Sequence, residues 1–172
     1  MLAEEVHALV RQTMTGGSYT AKALSPSQFR ALERITDLII PVENGKPGAL
    51  QAGVPAWIDS LLAVSDPLKA KYIAGLGWLD TSMASRGAAD FASATPVQQT
   101  ALLDLIAFKK NASPELSPGI DFFVLLRRMT VDGFYTSEIG IRDVIPNGRA
   151  PLAVFTVPQE SVDYVISRSP FK

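Results

Sequence analysis

His7 is the only imidazole in the 172-residue chain, and there is no cysteine. A side-chain base with an unperturbed pKa near neutrality, or a nitrogen ligand for a metal, would have to be this residue. One nitrogen ligand and no thiolate exclude a disulfide, an iron–sulfur cluster, a cysteine nucleophile and any zinc site that needs two such ligands. His7 stands at helical spacing from Glu4 and Val10 in a terminal segment, where a solvated surface histidine is the simpler reading. The carboxylates of Asp80, Asp90, Asp104, Asp121 and Asp132 could share acid–base work, but no two of them form the Glu-x-x-His or paired-Glu pattern of a bundle metal site. Helix caps and solvated faces account for them better. Serines are plentiful, yet no Gly-x-Ser-x-Gly elbow occurs, and one histidine does not make a triad. No catalytic, metal-binding or cofactor-binding residue is assigned.

Gly75-Leu76-Gly77-Trp78 has the first two glycines of a dinucleotide loop, but it follows no strand, lacks the third glycine and falls inside a helical pattern. Close helix packing is the better explanation, and the chain alone is expected to bind neither flavin nor metal. Asn111-Ala112-Ser113 matches a glycosylation acceptor, followed by Pro114, and marks a loop. The run Thr130 to Gly140 differs in kind: aromatics, hydroxyls and glycines follow directly on an expected helix end. It reads either as a recognition surface or as a helix C-cap whose glycine takes a positive φ and whose aromatics fold back on the core.

The elements that would carry these residues follow from caps and periodicity. Residues 2–14 place Leu2, Val6, Leu9 and Val10 on one helical face, and Gly16-Gly17 ends that pattern in a flexible joint. Ser25-Pro26-Ser27-Gln28 is a capping box that opens a helix carrying Phe29, Leu32, Ile35 and Ile39, which stops before Pro41. Glu43 to Gly48 is turn chemistry. Ala52-Gly53-Val54-Pro55 restarts a helix to about Val64, and Asp66-Pro67 caps the next, with Tyr72, Leu76, Leu79 and Met83 facing inward. Thr95-Pro96-Val97-Gln98 is a second capping box, with Val97, Ala101, Leu105 and Phe108 as the expected core stripe on a helix running to Lys109-Lys110. Ser117-Pro118 caps a helix with Phe122, Leu125, Leu126 and Met129 inward, interrupted at Gly133. Beyond Ser137 only Glu160 to Ser167 is expected to be helical, and residues 150–157 read as extended.

The fold class is therefore all-α: a compact single-domain bundle of about five to six helices with an extended C-terminal tail. The expected divisions are a terminal helix and joint over 1–23, a helical domain over 24–145 and a tail over 146–172. Apolar residues make up 47% of the chain and charged residues 19%, with a mean hydropathy of +0.17, which excludes whole-chain disorder and leaves apolar surface for a partner. Sixteen Lys and Arg against 17 Asp and Glu give a formal charge of −1 with no basic stripe, so neither nucleic acid nor direct membrane insertion is expected. The acidic start Met1 to Glu5 does not read as a secretory signal, and Arg127-Arg128 lies too far inside the chain for a twin-arginine signal.

A set of short pieces recurs in a specific order. Leu38-Ile39-Ile40-Pro41 leads, then Pro47-Gly48-Ala49, Ala52-Gly53-Val54 with Ile58-Asp59, and Gly75-Leu76 through Leu79-Asp80. Phe91 follows, then Gln98-Gln99 with Leu102-Leu103, Phe122-Phe123, and Gly133-Phe134-Tyr135-Thr136-Ser137 with Gly140. Over about residues 24–145 this order resembles the gluconate 2-dehydrogenase subunit 3 family, small subunits of bacterial flavin-dependent sugar and polyol dehydrogenase complexes. The resemblance implies a non-catalytic helical (gamma) subunit that binds a large FAD-containing subunit of the glucose-methanol-choline type, with electrons leaving to a cytochrome c. It implies that FAD sits in that partner and that Gly133, Phe134, Tyr135, Thr136 and Ser137 contact it. It also implies a periplasmic location, since members usually carry a twin-arginine signal and their flavoprotein travels out with them. This sequence departs in lacking that signal and in giving Ile141 to Gly148 where the family tends to be glycine-rich. The alternatives are a free-standing helical carbohydrate-binding protein and a small enzyme acting on a carbohydrate.

Overall fold

Proline in the first two positions of a helix wastes no hydrogen bond and presets φ, and all five long helices of the body begin that way. The computed structural model describes residues 19–144 and 157–168. Within them run α1 (Pro26–Ile39), α2 (Val54–Ala63), α3 (Asp66–Ala84), α4 (Pro96–Ile106), α5 (Ser117–Tyr135), α6 (Glu138–Val144) and α7 (Gln159–Arg168), with one 3-10 turn at Lys109–Asn111. No strand occurs among the described residues, and the expected all-α class holds. The expected terminal helix, the Gly16-Gly17 joint, His7 and most of the extended tail lie outside the described residues.

Both capping boxes form as expected. Ser25 accepts from the Gln28 N–H and Gln28 accepts from the Ser25 N–H, and Thr95 and Gln98 do the same for α4. Glu43 and Lys46 pair main chain to main chain around Asn44 and Gly45, both at positive φ, so this segment is the expected tight turn. The caps of two other helices differ by one residue, with Ser65 preceding α3 and Leu116 preceding α5.

The long helix α5 is the axis of the body, packing against α1, α2, α3, α4 and α6. Its inner side carries Phe122, Phe123, Leu126 and Phe134, which meet Leu32 and Ile35 of α1, Ile58 and Leu62 of α2 and the Tyr72–Met83 stripe of α3 in one apolar cluster. Three close approaches are made by glycine. A Cβ on Gly75 of α3 would collide with the Phe122 ring, one on Gly119 of α5 with the Trp78 indole, and one on Gly133 with Trp57 Cε3 at 2.7 Å. Gly75 thus confirms the packing role expected of it, while Gly77 faces open space.

Four expectations are corrected. α4 buries Gln99, Leu102, Leu103 and Ile106, not the stripe Val97, Ala101, Leu105 and Phe108, which is exposed. It also stops at Ile106, short of the lysines, which fall in the 3-10 turn. α5 runs straight through Gly133 to Tyr135, because that glycine makes room for an indole rather than for a turn. A further short helix, α6, then follows where periodicity is weak.

Candidate interaction surface

The run from Gly133 to Gly140 folds a corner between α5 and α6. Gly133 and Phe134 are buried. Ser137 is half-buried: its hydroxyl donates to the Phe134 carbonyl at 2.6 Å and accepts from the Gly140 N–H at 3.0 Å. Gly140 in turn lies so close to the Phe134 main chain that a Cβ would clash with it. Of the five residues expected to meet a partner, Tyr135 and Thr136 are the exposed ones. The Tyr135 ring stands edge-on to buried Phe134 at 5.1 Å and is itself exposed. Phe134 thus folds back on the core and Tyr135 faces out, while Gly133 is helical and takes no positive φ.

Two grooves flank α5. One of about 390 Å³ lies against α3 and is bordered by Lys71, Ala74, Trp78, Asp121 and Leu125. The other, about 380 Å³, lies between the C-terminal end of α1, α4 and α5, bordered by Leu38, Ile39, Asp104, Ala107 and Arg127. The first is a largely apolar hollow, the second is mixed, and each has charges at the rim.

The aspartates singled out by sequence do structural work or stay in solvent. Asp80 Oδ1 accepts from the Phe91 N–H at 3.0 Å, Asp90 Oδ1 accepts from the Ser93 N–H at 2.7 Å, and Asp132 pairs with Arg128 along α5. Asp104 and Asp121 are exposed. No group of three or more His, Cys, Asp or Glu residues able to hold a metal occurs among the described residues. Nor is any described helix long and apolar enough to cross a membrane. Gly75 and Gly77 lie within α3, and the space that a phosphate would need at Gly75 is filled by the Phe122 ring, so this segment does not fit a dinucleotide.

Two polar residues escaped sequence reasoning. Asp59, fully buried in α2, accepts main-chain N–H groups from Lys22 at 2.6 Å and Leu24 at 2.9 Å, with Ala23 at 3.2 Å. The Tyr19 hydroxyl donates to it as well, at 2.8 Å. Gln99, also buried, accepts from Arg34 Nε at 2.7 Å and donates to the Phe91 carbonyl at 2.8 Å, tying α1 and α4 to the loop between α3 and α4. The available signal was helical spacing: Asp59 stands beside Ile58 and three residues before Leu62, and Gln99 stands three and four residues before Leu102 and Leu103.

Burial pushes the Tyr19 phenol up to about 12, with the Ser60 hydrogen bond opposing the rise and Asp59 adding to it. The phenol favours its neutral form when folded. Its contribution to stability is whole below about pH 10, the unfolded value, and declines as pH rises from there through about 12. Urea melts at pH 9 and pH 11 are expected to show that decline, shallower in Tyr19→Phe. Burial also raises the Tyr72 phenol, which leaves a residual slope in the variant. Equal slopes in both proteins would remove Tyr19 from the account.

The family model described as gluconate 2-dehydrogenase subunit 3 matches residues 26–151, from the start of α1 to beyond α6. No curated protein and no solved structure matches.

Proposed function

The chain belongs to the gluconate 2-dehydrogenase subunit 3 family, and on that premise we propose that it is the non-catalytic small subunit of a bacterial FAD-dependent sugar or polyol dehydrogenase. The family's name is that of a subunit of a multi-subunit dehydrogenase, and the match over residues 26–151 is the observation that carries the reading. In this proposal the FAD, the substrate site and the route to a cytochrome c belong to a large subunit of the glucose-methanol-choline type. This chain supports the folding, stability or export of that subunit, and the complex works in the periplasm. Exposed Tyr135 and Thr136, at the end of α5, are contact residues for the partner, held in place by buried Gly133 and Phe134 and by Ser137.

Co-expression tests it. Dye-linked dehydrogenase activity is expected only when the large subunit is present, and the small subunit is expected to raise the yield of soluble, FAD-loaded partner, because preferential binding to the folded form stabilises it by mass action. A flavoprotein equally soluble, loaded and active when made alone would defeat the proposal, as would turnover by the small chain alone. Tyr135→Ala is expected to weaken the complex by about 2 kcal/mol, some thirtyfold in Kd, as for an aromatic interface anchor. The melting temperature of the free subunit is expected to move by no more than about 2 °C, because the ring is exposed. A large melting shift with unchanged affinity would assign Tyr135 to the fold alone.

A further inference from the structure

Helix α4 is apolar on two sides. Its inner side puts Leu102, Leu103 and Ile106 into the core, and its main packing partner among the helices is α5. Its outer side carries Val97, Ala101 and Leu105 in line, continued by Phe108 just past the helix, and all four are exposed, Val97 by 79%. An exposed apolar stripe of this length marks a contact surface, and nothing among the described residues covers it. Thr100 and Asp104 border both the hollow beside Val97 and Ala101 and the groove that ends at Leu38, Ile39 and Arg127, so stripe and groove are one continuous surface.

The charges around it indicate the occupant. Lys109 and Lys110 follow the stripe, with Lys110 lying over the Phe108 ring at 5.2 Å, and Arg127 stands at the groove. None of the three makes an ion pair among the described residues, and the one acid on the surface is Asp104. Two copies joined through this face would set three cations against three with a single carboxylate each to offset them, which opposes self-association. A partner with an apolar ridge edged by Asp and Glu satisfies both the stripe and the cations.

We propose that the outer face of α4, with the α1–α4–α5 groove, docks an acid-edged apolar ridge of the dehydrogenase's catalytic subunit. The face is separate from Tyr135, and the inference rests on the reading of this chain as an accessory subunit. Affinity-tagged full-length chain, produced in its native host, tests it. The retained material is assayed for bound flavin and for dye-linked oxidation of gluconate and glucose. Wild type is expected to retain flavoprotein and activity. Ala101→Glu and Phe108→Ala are expected to lower both at least tenfold, with the melting temperature of the free subunit unchanged because both positions are exposed. Arg127→Glu is expected to lower retention most at low salt, where screening is least. If wild type retains the flavoprotein and all three variants retain it equally, this face is wrong and the accessory role stands. If wild type retains none, the accessory role itself fails and this inference with it. Two further results also overturn it. One is a wild-type dimer in sedimentation that Ala101→Glu dissociates, which gives the face to a second copy. The other is tighter retention of flavoprotein after removal of residues 157–172, which gives it to the chain's own C-terminal helix.

Discussion

Asp59→Ala is expected to lower the melting temperature of the free subunit by about 10 °C, the largest loss from any single polar residue described here. The carboxylate is fully buried with no cation paired to it among the described residues, and its two oxygens are occupied by main-chain N–H groups of Lys22, Ala23 and Leu24 and by the Tyr19 hydroxyl. Those bonds hold the segment before α1 against α2. Hydrogen bonds to a charged group contribute about 1.5 to 3 kcal/mol each, and removing the acceptor leaves donors to find water at a site where Leu24 is itself buried. Part of that loss is recovered because Lys22 is exposed, so a net cost of about 3 kcal/mol is expected. Asp59→Asn should not rescue it. Oδ2 faces the Lys22 N–H and Oδ1 faces the Leu24 N–H, so an amide nitrogen in either orientation sets donor against donor. Circular-dichroism melts of the three proteins measure the effect, and limited proteolysis around residues 19–24 localises it. Melting within about 2 °C of wild type for both variants would show that the segment is held by other contacts.

A second pair of substitutions, two residues apart on α3, is expected to change stability in opposite directions. Alanine is a better helix former than glycine by about 1 kcal/mol, so local propensity favours both Gly75→Ala and Gly77→Ala. At Gly77 nothing lies within 4 Å of the new methyl group, and the gain should appear as a rise in stability of up to about 1 kcal/mol. At Gly75 the methyl group would land on the Phe122 ring. That ring is held on its inner side: it is buried, it meets Tyr72 edge-on at 5.5 Å, and the Tyr72 hydroxyl donates to Met129 Sδ at 3.2 Å, while its other side borders the α3–α5 groove. Overpacking costs about 1 to 3 kcal/mol against a propensity gain of about 1, so either the ring shifts toward the groove or α3 and α5 move apart, and a net loss of about 1 kcal/mol is expected. Urea unfolding of the two variants gives the comparison directly. A rise in stability for Gly75→Ala would show that the ring yields and that the two helices are not held at contact distance by this glycine.

What the sequence determined by itself lies within a few residues along the chain. The Ser25/Gln28 and Thr95/Gln98 boxes and the Glu43–Lys46 turn are each complete in their own atoms and present where their residues predict them, and the proline-led helix starts fall within one residue of theirs. Inward stripes were legible where a helix has one apolar side, as in Tyr72, Leu76, Leu79 and Met83 of α3. Tertiary structure decided the rest. α4 has apolar residues on opposite sides, so periodicity fits two orientations equally, and packing on α5 buries Leu102 and Ile106 while leaving Val97 and Phe108 outside. Gly133 permits either a turn or a close contact, and the Trp57 indole across the helix interface makes it the contact. Asp59 is an acid whose partners lie 35 to 40 residues away, so local spacing could mark it as inward-facing but not name what it holds. The same holds for the exposure of Tyr135 beside buried Phe134: adjacent helical residues point about 100° apart, and only the position of the neighbouring helices settles which one meets solvent.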